Sequence, residues 1–397
     1  MLRGKKVCLQ PNKKQEEMFF VFSGTSRFAW NESLAYYERM HEETGEYARL
    51  RDLMKHLQQL KHEKEEYSWL NEVPEAITKQ AMKDLLKAFK SFYDRRRTEG
   101  YDPKEPGRNR PKFKKKGKCQ ESFYQRTDNI HKTDDSHVKI TGIRSPVKCK
   151  GLRGISLPER IQNPRISYDG KYWYLSYSYE TEEEKMIPER EAIGIDLGIS
   201  EYAVTSDGVH YGNINKRSSV KKLRKRLKRL QRDVSRKYEK NCTSDDKGRK
   251  RYHKTNNIRR KEKQIQLAYR RIRNIQKTYM YEVVKSVMRT KPQMIVMEDL
   301  DVKGMMQDPK IARHLQKENL SEFRRILTYK CEQKGIGLIT ADRWYPSSRK
   351  CSHCGSIKHD LKLSDRTYVC DRCGMIMDRD ENAAVNLERY PEITAAA

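Results

Sequence analysis

Cys351-x2-Cys354 and Cys370-x2-Cys373, with fifteen residues between the pairs, form the most restrictive pattern in the chain. Two thiol pairs at that spacing are the two knuckles of one tetrahedral thiolate site, which suits a single zinc ion in a structural role, because four protein ligands leave no open position for a substrate. Each knuckle ends in glycine, Gly355 and Gly374, as ribbon turns do. The competing reading is a pair of redox-active dithiols. His353 and His359 lie close by, but a complete thiolate set leaves them as surface side chains. Five residues past the last thiol the chain reaches Asp378, Arg379 and Asp380, an acidic step that a zinc clamp by itself does not need.

The remaining cysteines, Cys8, Cys119, Cys149, Cys242 and Cys331, are scattered, and a total of nine is odd for a secreted disulfide framework. A reducing compartment is expected. No apolar run approaches a membrane span, and the start MLRGKKVCLQ lacks the apolar core of a signal peptide. These features exclude a membrane or secreted scaffold and predict a cytoplasmic protein. The 85 Lys+Arg against 55 Asp+Glu give a net charge of +30, more than solubility requires, and a field of that sign draws polyanions. With 23 Tyr and 4 Trp offering stacking surfaces, nucleic acid is the expected partner.

The length of 397 residues supports two or three domains. Residues 11–120 read as a helical lobe: Leu50, Leu53, Leu57 and Leu60 recur at three and four, as do Ile77, Ala81, Leu85, Phe89 and Phe92. The lobe ends in a basic connector, YDPKEPGRNRPKFKKKGKC, too rich in Pro, Gly and Lys to pack a core. Residues 121–185 read as a small β-domain, with a hairpin turning at Asp169-Gly170, and residues 1–10 supply its first strand. Residues 186–345 mix strands (AIGIDLGI, PQMIVMEDL, GIGLITADRWYP) with a long helical insertion over 215–290. In that insertion Val220, Leu223, Leu227, Leu230 and Val234 make one apolar stripe, and Ile258, Ile265, Ala268, Ile272 and Ile275 make another, so two antiparallel helices are expected. Residues 215–240 hold 13 Lys/Arg and two acids, a density that points to phosphate contact beyond a plain solvated face. Residues 346–376 are the ribbon, and 377–397 hold the acidic step and a last helix, DENAAVNLERY.

Asp196 in AIGIDLGI and Glu298 in QMIVMEDL are acids inside apolar strands, which must be desolvated at a cost or face a cleft. Asp380 stands at a helix start, where a plain capping role is the simpler account. Any one of them alone reads as a cap or an ion pair. Three converging acids would bind two divalent ions and position water for attack on phosphate. Sequence pattern leaves Asp299 open beside Glu298, and Asp378 and Glu381 open beside Asp380.

In order, GIDLGISEYAVTSDG, VMEDLDVKGM and DRDENAAVNL, with the four-cysteine ribbon just ahead of the third, resemble the catalytic motifs of RuvC-like nucleases in the transposon-encoded TnpB family, which is related to the type V CRISPR effectors. NKRSSVKKLRKRLKRLQR, RRIRNIQK and RPKFKKK extend the similarity. The resemblance implies an α+β multidomain architecture: an RNase H-like (RuvC) nuclease domain carrying the inserted zinc ribbon, an N-terminal helical recognition lobe and a small wedge β-barrel. It selects Asp196, Glu298 and Asp380 as ligands of two catalytic Mg ions, and Cys351, Cys354, Cys370 and Cys373 as ligands of one structural Zn. It implies an RNA-guided, metal-dependent DNA endonuclease with a guide RNA from the transposon end and double-stranded target DNA as partners, monomeric and associated with the prokaryotic nucleoid. A miniature CRISPR effector, a non-cleaving RNA-guided regulator and an unguided branched-DNA nuclease are the competing functions. Lys112 and Lys114 in the connector, with Lys221, Arg224, Lys225, Lys228, Arg229 and Arg232 on the insertion, are expected to hold nucleic-acid backbone. Lys79, Gln80 and Lys83, near one helix face, are the candidates for reading a flanking motif by base edges.

Overall fold

Two units divide the chain, Met1–Thr181 and Glu182–Ala397. The computed structural model describes residues 2–99, 109–150, 161–182, 184–244, 248, 250–362 and 364–391. The first part of the expected basic connector, 100–108, the stretch 151–160 of the expected β-domain and the end of the last segment, 392–397, lie outside the described residues.

The first unit opens with β1 (Leu2–Gln10), then α1 (Lys13–Thr44), α2 (Leu50–Glu63) and α3 (Glu75–Glu99). It continues with β2 (Ser122–Tyr124), β3 (His131–Asp134), β4 (His137–Lys139), β5 (Val147–Lys150), β6 (Ile161–Tyr168) and β7 (Trp173–Glu180). A reciprocal cap starts α1: Asn12 Oδ1 accepts from the Gln15 backbone N at 2.9 Å, and Gln15 Oε1 accepts from the Asn12 backbone N at 3.0 Å. The leucine and aromatic periodicity of the helices closes a core in which the Tyr37 and Phe89 rings stack at 4.1 Å.

The seven strands form one antiparallel sheet in the order β2-β6-β7-β1-β5-β4-β3, so the amino-terminal strand runs through its middle, paired to β7 on one side and β5 on the other. Phe123 of β2 and Val138 of β4, from opposite ends of the sheet, share one core with Trp173, Phe19 and Phe22, which means the sheet curls around α1. Among the described residues the edge strands β2 and β3 do not pair, so the expected β-barrel is an open curl. The aromatic side chains of α1 fill it, and Gln125 Nε2 crosses to the Thr141 carbonyl at 3.3 Å. The described end of the connector does not hang free. Trp30 Nε1 donates to the Lys112 carbonyl at 3.1 Å, and Asn31 exchanges two hydrogen bonds with the Lys114 backbone.

The second unit contains β8 (Arg190–Leu197), β9 (Glu201–Thr205), β10 (His210–Gly212), α4 (Ser218–Lys240), β11 (Cys242–Ser244), β12 (Lys250–Tyr252), α5 (Asn256–Arg289) and β13 (Pro292–Glu298). After these come α6 (Val302–Met305), α7 (Pro309–Glu318), α8 (Leu320–Lys334), β14 (Gly337–Ala341), β15 (Thr367–Val369), β16 (Ile376–Asp378) and α9 (Arg379–Glu388). Its main sheet has the order β10-β9-β8-β13-β14, antiparallel across the first three strands and parallel across β8, β13 and β14. One face, with Ile193, Ile195, Ile295 and Met297, packs on Val283 and Val287 of α5 and on Phe323 and Leu327 of α8. On the other face Val296 and Ala341 pack on Leu387 of α9. Alternation along β8 and β13 therefore divides these strands between two buried faces, as parallel strands require. The two apolar stripes of the insertion meet as an α4–α5 hairpin through Leu227, Ala268 and Ile272, with β11 and β12 as its tip.

Helix α9 lies directly on β8 at Gly194. A Cβ built there would stand 1.9 Å from the Ala384 carbonyl oxygen and 2.6 Å from the Glu388 backbone nitrogen. Both obstacles are helix backbone, so a side chain can enter only by lifting α9. Gly194→Ala is expected to cost about 1–3 kcal/mol of stability, and Gly194→Val more, read as a lowered denaturation midpoint.

Candidate metal and nucleic-acid sites

The parallel register that sets Ile195 beside Met297 leaves Asp196 and Glu298 as neighbours one step further on, at the carboxyl ends of β8 and β13. Because Ile195 and Met297 face the α5 and α8 side, the two acids turn toward the α9 side. Helix α9 brings Asp380. The capping role falls to Asp378, whose Oδ1 accepts from the Asp380 and Glu381 backbone nitrogens at 2.8 and 3.1 Å. Asp380, left free of capping, meets Arg379 at 2.7 Å and Arg366 of the ribbon at 3.4 Å.

Asp196 is surrounded by protein yet keeps an accessible edge, as a group on a cleft floor does. Burial, and then the charges of Glu298 and Asp380, push its carboxyl well above the usual range. Glu298 is likewise raised by burial, with Asp380 adding to the rise and a hydrogen bond from the Ser347 hydroxyl opposing it. The neighbouring acids have other partners. Asp299 sits between Arg324 and Arg343, each at 3.1 Å, which hold it below the usual carboxylate range. Glu381 faces His210 at 3.5 Å, and His210 also bonds Glu201. Asp196, Glu298 and Asp380 thus form one electrostatic cluster, to which Ser347, Arg366 and Arg379 contribute. Sequence reasoning missed those three, since Ser347 and Arg366 lie in loops without periodicity.

Among the described residues, the group of three or more metal-ligating side chains whose ligand atoms all lie within 4.8 Å is Cys351, Cys354, Cys370 and Cys373. Cys351 and Cys373 are 3.7 Å apart at sulfur, and Cys354 and Cys370 3.5 Å. A tetrahedral zinc with Zn–S near 2.3 Å needs a sulfur spacing of about 3.8 Å, so the thiols fit that ion. The knuckles repeat one turn: Gly355 N donates to the Cys351 carbonyl and Gly374 N to the Cys370 carbonyl, both at 2.9 Å, with φ of 75° and 70° at the glycines. A hydrogen bond from the Ser356 hydroxyl leads the effects that hold the Cys370 thiol down to about 5. Helix α9 clasps the ribbon: Asn382 Oδ1 accepts from Ser352 N at 2.9 Å, and Asn382 Nδ2 donates to the Lys350 carbonyl at 2.7 Å.

On α4, Lys221, Lys225, Lys228, Arg229 and Arg232 are exposed. Arg229 and Arg232 line a notch with Arg226, Arg236 and Lys261 around Asp233. Arg224 departs from expectation. It turns inward, donates to Asn215 Oδ1 at 2.8 Å, and burial lowers its pKa, so it serves the packing of α4 and not its open face. Lys114 also turns inward, its Nζ 3.5 Å from the centre of the Trp30 ring, whereas Lys112 is exposed. Gln80 is bonded to Asp84 at 2.9 Å, which also holds Arg165, while Lys83 is exposed and Lys79 half-buried.

Family profiles match three segments: "Helix-turn-helix domain" at 1–46, "Probable transposase" at 176–308 and "Cas12f1-like, TNB domain" at 321–387. The chain is 27% identical over 406 residues to the Escherichia coli K12 "Putative RNA-guided DNA endonuclease InsQ", spanning 97% of this chain and 91% of that protein. The chain is thus similar to the TnpB family. A Streptomyces pristinaespiralis relative, "Putative RNA-guided DNA endonuclease", is 27% identical over 81% of this chain and 73% of its own length. Among solved structures, a Cas12f1-sgRNA-target DNA complex aligns at 14% identity and a TM-score of 0.36, over 98% of this chain and 99% of that one. In this chain the described part of 1–46 is one strand and one long helix. Among its described residues no helix is long and apolar enough to cross a membrane.

The acid cluster has a measurable cost. The folded pKa of Asp196 stands above its unfolded value of about 3.9, so its contribution to stability is lost as pH rises from there through the folded value. At neutral pH in chelator, Asp196→Asn should therefore raise the unfolding temperature by several degrees. The gain should shrink toward zero at a pH near 4.

Proposed function

We propose that the chain is a transposon-associated, RNA-guided DNA endonuclease with an RNase H-like (RuvC) centre built from Asp196, Glu298 and Asp380. The observation that carries this reading is the meeting of three carboxylates from β8, β13 and α9, two of which are pushed up in pKa by burial and by like charge. Buried acids that repel one another are destabilising unless a cation is part of the working site. The sheet order, antiparallel over three strands and parallel beyond, suits the RNase H-like reading. The names of the InsQ and Streptomyces relatives agree with guided endonuclease activity.

Two magnesium ions, when bound, would supply an activated water and charge stabilisation at the leaving oxygen. The protein's part is positional. Asp196 and Glu298 are fixed by paired strands, Ser347 orients Glu298, and Asp378 caps α9, so that the Asp380 carboxylate is not taken up by the helix's backbone nitrogens. Arg379 and Arg366 balance Asp380 and stand where a phosphate oxygen can be met. The four thiols would hold one structural zinc, which fixes the ribbon against α9. The exposed cations of α4, with Lys112, would take the backbone of guide RNA or heteroduplex, leaving sequence choice to base pairing with the DNA target.

Asp196→Ala, Glu298→Ala and Asp380→Ala should each reduce cleavage of a guide-matched duplex at least about 100-fold while guide and target binding persist in a mobility-shift assay. Undiminished cutting by Asp196→Ala sinks the assignment. Cys370→Ser should lower the bound zinc, measured by elemental analysis, from one ion per chain toward none and lower the unfolding temperature. Replacing Lys225 and Arg229 together should reduce the slope of log affinity against log salt by about 2, whereas replacing Arg224 should act on stability.

A further inference from the structure

Trp344 is the most exposed large apolar side chain among the described residues, at 85%. A lone exposed apolar group is ordinary on a protein surface. What sets this one apart is how firmly its backbone is held and where. Asp342 N donates to the Tyr390 hydroxyl at 3.1 Å, and Asp342 Oδ1 accepts from Trp344 N at 2.8 Å. The next residue, Tyr345, turns inward, its ring 4.9 Å from that of Tyr390 and its hydroxyl donating to the Asn386 carbonyl at 3.1 Å. Asn386 Nδ2 in turn donates to the Ser347 carbonyl at 2.8 Å. The turn is thus pinned before Trp344 by Tyr390, just past α9, and after it by Asn386 of α9, and the indole is the part left facing outward.

The same turn carries Ser347, whose hydroxyl bonds Glu298. Three residue steps separate Trp344 from Ser347, so its backbone lies within at most roughly 11 Å of the residue that bonds Glu298. Arg343, the residue before it, is exposed and pairs with Asp299 and Asp301, and Arg349, two residues past Ser347, is exposed as well. A rigid aromatic face beside cations and a phosphodiester-cleaving cleft suits an unpaired nucleobase, because stacking needs an open π-face and the ordering cost is already met by the fold. A paired base presents only its edges, so the occupant is single-stranded.

We propose that Trp344 is a stacking platform for a base of the single DNA strand entering the Asp196, Glu298 and Asp380 cleft. This rests on the nuclease reading, but its test does not need cleavage. The guide-loaded protein in chelator is titrated with a short mixed-sequence single-stranded DNA oligonucleotide, comparing the parent, Trp344→Ala and Trp344→Phe. Tryptophan emission of the parent should be quenched on binding. Trp344→Ala should lose that quenching and about 10-fold in affinity, Trp344→Phe should recover most of the affinity, and all three should unfold at the same temperature. Cleavage of a guide-matched duplex by Trp344→Ala should fall by a similar factor. Equal affinity and equal quenching in the parent and Trp344→Ala overturn the proposal, as does a cleavage defect in Trp344→Ala without an affinity change, which would give the residue to another partner. If Asp196→Ala instead cuts normally, the nuclease assignment falls while the binding comparison still decides the stacking role.

Discussion

The second unit depends on one close approach, the seating of α9 against β8 where Gly194 leaves no side chain in the way. That contact sets the height of the helix above the sheet and with it the position of Asp380 relative to Asp196 and Glu298. It also carries the ribbon, since Asn382 and Asn386 on the same helix hold the carbonyls of Ser347 and Lys350. A single absent methyl group thus supports two constellations of opposite chemistry, one of thiols and one of carboxylates.

Those two constellations differ in how they hold charge. The thiols are gathered tightly and hydrogen-bonded by backbone and by Ser356, an arrangement already shaped for one ion. The acids are spaced more widely and are countered by arginines, Arg379 and Arg366 on Asp380. The four thiols fit one structural ion, whereas both oxygens of Asp380 are already met by arginines. Arg366 belongs to the ribbon, so the structural site reaches the acid cluster through one side chain as well as through α9.

Much of this was legible in the sequence. The cysteine spacing named the ribbon, the apolar stripes named the α4–α5 hairpin, and Asp169-Gly170 marked the β6–β7 turn because these are local signals with fixed periods. Which acid of each pair belongs to the cluster was not legible. Asp299 departs from Glu298 because the pleat sends it to Arg324 and Arg343, and Asp378 caps α9 because the helix begins one residue later, facts of register and boundary that composition does not carry. The basic residues were over-read for a similar reason. Arg224 and Lys114 look like their neighbours in sequence, but helix phase turns one toward Asn215, and docking of the connector lays the other on Trp30. Charge density told which segment is cationic, and only packing told which cations are available.

The acid cluster joins residues far apart along the chain, Asp196 on β8 and Asp380 on α9, with the whole α4–α5 hairpin and the ribbon between them. Contacts of such separation form late, because the intervening loop must be closed before it is rewarded. During synthesis the strands of β8, β9 and β13 and the basic hairpin emerge before α9 does. The growing chain therefore acquires its cationic hairpin well before it acquires a complete set of carboxylates, and an unfinished molecule carries the basic surface without the acid cluster.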